Sequence, residues 1–464
     1  MANDTIVAPA TAPGESAIAV IRLSGPSAFS IAARHFEGRN SPEQTPTHRV
    51  LFGIFLDRER SPVDRVLLSV FRAPRSYTGE DVVEISSHGG SAIPRAILDA
   101  LVASGARPAR PGEFTERAFA NGKLDLAQAE SVAALVKARS DRAARAAGVA
   151  LGGSLSRRVD ALDRDLVPLL AEVEARIDFP ADVDEALDGA ALADRCAALA
   201  APLREWVRQF PSARRREEGL RVALLGPPNV GKSSLLNALL GYDRAIVSEN
   251  PGTTRDTVEG SIWIDGIELK LSDTAGIRNT TDPVERLGLE RADRAVRGAD
   301  LAIVVLDCSE PGTAEDPALV AAAADRPVVV AWNKADLANG NAGATRAKDR
   351  LGLREGQLLS EVETVAVRPG GAEPLLGALR SALPRVLGEA AGEELATTSA
   401  RQETVLAAAL AAFDRAENSL REDAPYDLIA VDLAEARRLL GESVGRGVDQ
   451  DVIAAIFTRF CIGK

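Results

Sequence analysis

Gly226-Pro-Pro-Asn-Val-Gly-Lys-Ser233 is the stretch that decides how the middle of this chain folds. It fits the spacing G-x-x-x-x-G-K-[ST]. A short continuous apolar run, Leu220–Leu225, precedes it, and a helix-like segment, 234–240, follows and stops at Gly241. Strand, glycine loop and helix in that order let backbone N–H groups curl around phosphate oxygens. Lys232 is then placed to reach the outer phosphates, and the Ser233 hydroxyl to ligate Mg²⁺. Asn229, Val230, Gly231, Lys232, Ser233 and Ser234 are the expected phosphate-side contacts.

Downstream segments arrive in a consistent order. Residues 262–264, Asp265-Gly266 and 267–271 read as a hairpin with a type I′ turn. Its second strand runs into Asp273-Thr274-Ala275-Gly276. There Asp273 is expected to hold Mg²⁺ through water, and the Gly276 N–H to sense a γ-phosphate. Between loop and hairpin, Gly252-Thr253-Thr254-Arg255-Asp256 offers Thr254 as a second Mg²⁺ ligand from a switch segment. The apolar runs 301–306 and 327–332 read as buried parallel strands. The second ends in Asn333-Lys334-Ala335-Asp336. A carboxylate there can accept both N1–H and N2–H₂ of guanine, a donor pair adenine lacks, so Asp336 is expected to select GTP over ATP. Ala366, Val367 and Arg368 stand where GTPases usually read Ser-Ala-Lys. Contact there is largely through backbone, so these three are assigned to the base side. Residues 217–383 thus read as a Ras-like α/β P-loop GTPase domain.

The hydrolytic machinery departs from the commonest pattern. Many small GTPases place a Gln directly after Asp-x-x-Gly to orient the attacking water; here the next residue is Ile277. Glu285 has two readings: a carboxylate acting in the same switch, or an exposed helix-start residue pairing with Arg286 or Arg291. Asn229 also has two. Its amide oxygen could hold a monovalent cation against the phosphates, or it could cap the loop turn.

The rest of the chain supplies context. At 464 residues, 46% hydrophobic and 26% charged, it has room for several globular domains. A net charge of −12 argues against broad electrostatic wrapping of nucleic acid. Three scattered Cys give neither a disulfide framework nor metal spacing, which suits a reducing cytoplasm. No apolar run reaches a membrane span and the first residues show no secretory signal, so no membrane role is expected. Residues 1–120 mix strand-like runs (17–23, 66–71, 82–86) with turns and a helix over 93–102, an α+β texture. Residues 121–216 are Ala/Leu-rich and helical, with long helices expected around 155–177 and 190–210. After the α/β segment, 384–464 is helical again, most clearly at 403–420 and 449–460. An α/β domain inserted into a helical domain follows.

With these segments in view, the chain resembles the MnmE (TrmE) family of bacterial tRNA-modification GTPases. The resemblance rests on Asp4-Thr-Ile-Val-Ala8, the stretch 19–25, Thr78-Gly-Glu-Asp-Val-Val-Glu84, His88-Gly-Gly90, the stretch 110–119, Lys123-Leu-Asp-Leu-Ala-Gln-Ala-Glu130, Ile177-Asp-Phe179, the GTPase motifs and Phe460-Cys-Ile-Gly-Lys464. It implies that residues 1–120 bind a 5-formyl-tetrahydrofolate-type cofactor and form a homodimer, with Arg22, Glu84, Lys123 and Lys464 lining the folate pocket. It implies a potassium-activated GTPase that pairs across its switches, with Asn229, Ser248, Asn250 and Thr253 as the potassium loop and Glu285 as catalytic acid. Ser248 and Thr253 then also count among the GTP contacts. It further implies a flavin-containing partner, MnmG, with which a carboxymethylaminomethyl-type group is built on C5 of wobble uridine U34 of certain tRNAs. Cys461, three residues from the C-terminus, could act as an accessible nucleophile, and the resemblance implies that it lies near that pocket, whereas Cys196 and Cys308 read as small buried residues. His35 and His48 read as structural or surface residues. Only seven of the 55 basic residues are Lys, and Lys123, Lys232, Lys334 and Lys464 all fall in matched motifs.

A ribosome-assembly GTPase would share the nucleotide motifs. It would bring a basic RNA-binding module such as a KH domain with its GxxG loop. The C-terminal part here has none, and the motifs of the first 120 residues have no place in that reading.

Overall fold

The computed structural model describes residues 4–138, 141–178, 189–241, 259–273, 298–309, 326–337, 351, 353–387, 399–458 and 460–464. The chain forms two compact units. One comprises residues 1–138, 145–207 and 395–464, the other 139–144 and 208–394.

The first unit begins with a seven-stranded sheet in the order β3-β4-β5-β6-β2-β1-β7. Its strands are β1 Ile6–Pro9, β2 Ile18–Ser24, β3 Phe36–Gly38, β4 Arg49–Leu56, β5 Pro62–Phe71, β6 Val82–His88 and β7 Arg107–Pro108. Helices α1 (Ala28–Arg34) and α2 (Ala92–Ala103) pack on one face, burying Ile21, Leu23, Leu68, Val70, Val83 and Ile85. Because side chains alternate along a strand, the register partners Arg22↔Glu84, Leu67↔Ser86 and Phe52↔Leu67 all lie on the other face. Helix α3 (Glu113–Ala120) follows, then α4 (Leu126–Lys137), whose first turn is closed by a capping box between Asp125 and Gln128.

Next come α5 (Asp141–Leu151), α6 (Ser154–Asp178) and α7 (Gly189–Glu218). Along α6, Leu155, Val159, Leu162, Leu166, Leu169 and Val173 are buried. That spacing draws an apolar stripe down a long helix whose other faces are studded with Arg, Asp and Glu. The helices after the α/β segment complete the packing: α10 (Ala400–Arg421) against α11 (Tyr426–Ser443), and α11 against α6. Cys196 on α7 is buried and directs its Sγ to the carbonyl of Phe413 on α10 at 3.7 Å. α12 (Gln450–Phe457) leads into the C-terminal segment.

The second unit holds a six-stranded sheet ordered β13-β12-β11-β8-β10-β9. Its strands are β8 Leu220–Leu225, β9 Glu259–Ile264, β10 Ile267–Asp273, β11 Leu301–Asp307, β12 Val328–Asn333 and β13 Leu358–Glu363. Every neighbouring pair is parallel except β9 with β10. The near-continuous burial of β8, β11 and β12 is what a sheet covered on both faces requires. The β9–β10 hairpin turns at Asp265 and Gly266, both with positive φ (50° and 78°), as a type I′ turn demands. Helix α8 spans Lys232–Leu240 and α9 spans Glu373–Leu387. α8 starts two residues earlier than the apolar pattern indicated, because Gly231 (φ 95°) occupies its N-cap and Lys232 already has helical geometry.

Candidate functional site

Two places gather the residues singled out by sequence. The first lies at the carboxyl edge of the parallel sheet, where open α/β sheets bind ligands. Gly226 (φ 151°) leaves β8 so tightly that a Cβ there would sit 2.3 Å from the Val305 carbonyl oxygen. A Cβ on Gly231 would sit 2.3 Å from Asn333 Nδ2. Both positions therefore need glycine. Asn229 takes φ 65°, a left-handed conformation that Asn tolerates better than most residues.

Lys232 is buried, and its ammonium donates to the carbonyls of Gly226 (3.0 Å) and Pro227 (2.8 Å). Burial pulls its pKa down, and the Asp273 carboxylate opposes that pull. Ser233 Oγ donates to Asp273 Oδ2 at 2.6 Å. Two oxygen donors side by side, one a carboxylate, fit a hard cation such as Mg²⁺.

Asn333 braces the loops. Its Nδ2 donates to the Val230 carbonyl (2.8 Å), while its Oδ1 accepts from the Ala366 N–H (3.1 Å) and Thr364 Oγ1 (3.3 Å). One buried amide thus fixes the phosphate loop to the 364–368 loop. Lys334 (φ 59°) pairs with Asp307 at 2.6 Å. Burial raises the Asp307 pKa, but Lys334 and Ser309 hold it below the ordinary carboxylate range overall. Asp307 escaped the sequence reading; its signal was its place at the end of an apolar strand, on the same edge as Asn333. Asp336 sits in a tight turn with Arg368 Nη2 3.6 Å from its carboxylate, and Val367 is 81% exposed. Of the predicted nucleotide residues, Ser248, Thr253, Thr254, Thr274, Ala275 and Gly276 lie outside the described residues, as do Asn250 and Glu285.

The second place is on the first unit's sheet, on the face away from α1 and α2. Arg22 and Glu84 are register partners joined by hydrogen bonds of 2.8 Å. The Arg22 guanidinium lies over the rings of Tyr77 (5.1 Å) and Phe114 (5.6 Å). Tyr77 donates to or accepts from Thr115 Oγ1 at 2.8 Å, and burial raises its pKa. Lys123, exposed, donates to the Pro74 carbonyl and shares with Tyr77, His48 and Phe71 a cleft of about 480 Å³. The C-terminal segment reaches the same place. Arg22 Nη1 donates to the Gly463 carbonyl at 3.4 Å, and the Gly112 N–H donates to that of Cys461 at 3.4 Å. Arg22, Glu84 and the 461–464 segment are therefore brought together, with Lys123 across the Tyr77 cleft. Charged donors, a carboxylate and the ring of Tyr77 at one cleft suit a planar, polar heterocycle. Tyr77 was missed in the sequence, since an isolated aromatic before Thr78 carries no spacing signal.

Cys461 is exposed, while Cys196 and Cys308 are buried. Burial pushes the Cys196 thiol up to about 12 and raises that of Cys308. His35 is buried between the Leu56 carbonyl and Ser104 Oγ, and His48 is exposed beside Phe71. His88 is held by Asp64 at 2.8 Å. No His/Cys/Asp/Glu group that could hold a metal ion occurs among the described residues, and no described helix is long and apolar enough to cross a membrane.

Comparison with known proteins agrees along the whole chain. A family described as the N-terminus of GTP-binding protein TrmE matches residues 5–123, and the MnmE helical domain matches residues 126–461. The tRNA modification GTPase MnmE of Syntrophotalea carbinolica is 41% identical over 100% of this chain and 99% of its own length. That of Chloroflexus aurantiacus is 41% identical over 100% of both, and that of Thermus thermophilus 43% identical over 100% of this chain and 99% of its own length.

Proposed function

This chain belongs to the MnmE family of tRNA modification GTPases and is a GTP hydrolase acting in tRNA modification, and from that premise we propose its finer chemistry. With a flavin-dependent partner of the MnmG type, it builds a carboxymethylaminomethyl-type group on C5 of U34 in certain tRNAs, using a 5-formyl-tetrahydrofolate-type one-carbon donor. It works in the cytoplasm as a homodimer.

The observation that carries the nucleotide reading is the joined edge of the second unit's sheet. Lys232, the Ser233–Asp273 pair and the Asn333 brace occupy one side, with Asp336 beyond them. Lys232 would exchange its two carbonyl partners for phosphate oxygens. Ser233 and Thr254 would hold Mg²⁺, with Asp273 reaching it through water, and the ion would neutralise charge developing on the phosphates. Asp336 would read the guanine edge. Asn229, with Ser248, Asn250 and Thr253, would hold K⁺ in the place other GTPases give to an arginine finger, and Glu285 would orient water. For the residues outside the described set, the support is the family's sequence motif alone.

The folate reading is supported by the Arg22–Glu84 pair stacked on Tyr77 and Phe114, with Lys123 and Lys464 on the surrounding segments. The dimer reading is supported by the same sheet face. Val50, Phe52 and Leu67 are 60%, 65% and 47% exposed, and Phe52 lies directly opposite Leu67. Large apolar side chains side by side on an uncovered sheet face mark an interaction surface.

Nucleoside analysis of tRNA from a strain lacking this gene tests the proposal. The carboxymethylaminomethyl group is expected to vanish from U34. Unaltered U34 would reject it.

A further inference from the structure

Glu130 is a buried carboxylate on α4 that the chemistry above does not use. It accepts from Ser399 Oγ (3.0 Å), from Arg401 Nε (3.0 Å) and Nη2 (2.9 Å), and from Gln402 Nε2 (2.6 Å). Arg401 goes further. Its Nη1 and Nη2 donate to the carbonyls of Glu442 and Ser443 at the end of α11, each at 2.9 Å. A buried ion pair with this many satisfied bonds is a poor device for stability, since apolar packing costs less desolvation. Its strength is geometric: it fixes three segments in one arrangement.

Those segments are telling. The first unit resumes at residue 395, and Ser399, the N-cap of α10, is its first described residue there, so 399–402 lies close to where the chain returns from the α/β unit. Three of these four side chains are gripped by Glu130. Glu130 lies one turn after Leu126, and α4 begins just after Lys123 and Asp125. On its flank, Leu126, Ala129 and Val132 pack against Phe457 and Phe460. That packing sets the segment whose Cys461 and Gly463 carbonyls meet Gly112 and Arg22. The first half of α4 therefore carries both contacts, the returning chain on Glu130 and the segment beside Arg22 on Leu126, Ala129 and Val132.

We propose that Glu130 and Arg401 are positioning residues that tie the chain returning from the GTP-hydrolysing unit to α4, so that nucleotide state is felt by the C-terminal segment beside Arg22. The proposal rests on the reading of the α/β unit as the nucleotide site.

Cys461 supplies the probe, being exposed while the other two thiols are buried. Its reaction with Ellman's reagent is followed in the full-length protein, without nucleotide and with GDP–aluminium fluoride. In the unmodified chain the rate is expected to change by about fivefold or more on adding nucleotide. Glu130→Gln keeps the shape and removes the charge; Arg401→Lys keeps the charge and removes the fork. In both, the two rates are expected to become equal, while GTP turnover stays within about twofold of the unmodified chain. A purely structural role would lower stability and raise both rates but leave their ratio intact, and that result overturns the proposal. So does a nucleotide-independent rate in the unmodified chain. Should Glu130→Gln not fold, Arg401→Lys carries the test. Absence of GTP turnover in the unmodified chain would instead reject the nucleotide site itself.

Discussion

In the proposed reading Asp336 concentrates base choice in one carboxylate, and its chemistry makes the test direct. Asp336→Asn turns an acceptor pair into one acceptor and one donor facing the guanine N1–H and N2–H₂. GTP affinity is expected to fall by about 10- to 100-fold, while xanthosine triphosphate, which offers a carbonyl in place of the amine, gains; a fluorescent-nucleotide titration reads both. A second residue-scale expectation concerns acid. Asp4 and Glu113 lie between Arg107 and Arg117, with bonds of 2.7 Å from Arg107 to Asp4 and 2.5 Å to Glu113. Burial raises both carboxyl pKa values, but the two arginines outweigh it and hold them below the ordinary range. Carboxylates depressed on folding stabilise above their unfolded values of about 4. That stability is lost as pH falls through the lowered folded values. Arg107→Gln should therefore shift acid unfolding to higher pH, measured by circular dichroism. At this scale the phosphate-loop residues were legible because backbone geometry ties them to fixed spacing. Asp307, Tyr77 and the bracing role of Asn333 were not, because each depends on a partner dozens of residues away.

Elements explain why some structure could be read directly and some could not. β8, β11 and β12 announce themselves as unbroken apolar runs because both of their faces are buried. β4 gives no such signal: Leu51 and Phe55 point to the core while Val50 and Phe52 lie exposed, so apolar residues occur on both sides without alternation. β1 and β7 are too short to show a period. The α8 core position Leu236 is fully buried, and Leu236→Ala should cost about 2–5 kcal/mol in chemical denaturation of the α/β unit. Gly463 is a different case. Its φ is 91°, and a Cβ would lie 2.0 Å from the Pro9 carbonyl oxygen. Gly463→Ala should push the segment off Arg22 and weaken 5-formyl-tetrahydrofolate binding by about tenfold, read by calorimetry, with the melting temperature nearly unchanged.

For the whole molecule, the proposed K⁺ role rests on Ile277 in place of a Gln after Gly276 and on Asn229 in the phosphate loop, and it can be tested directly. GTP turnover in K⁺ should exceed that in Na⁺ by at least about tenfold in otherwise identical buffers, and equal rates would remove the cation role. The inserted arrangement was legible as a change of texture at either end of the α/β segment. The joint at Glu130 was not, since nothing in a local window shows that a carboxylate will be buried. That joint also sets a timetable. Glu130 and Arg401 are 271 positions apart. At roughly 5–20 residues per second of synthesis, a new α4 waits about a quarter of a minute to a minute for its partner to emerge. During that wait the α/β unit, whose strands and helices lie close in sequence, can close its own core. The helical part of the first unit must remain open, its glutamate still hydrated, until the later helices arrive, while the N-terminal sheet, whose core uses only residues 7–106, can close early. On this timetable the α/β unit can be finished before the helical scaffold that the chain returns to.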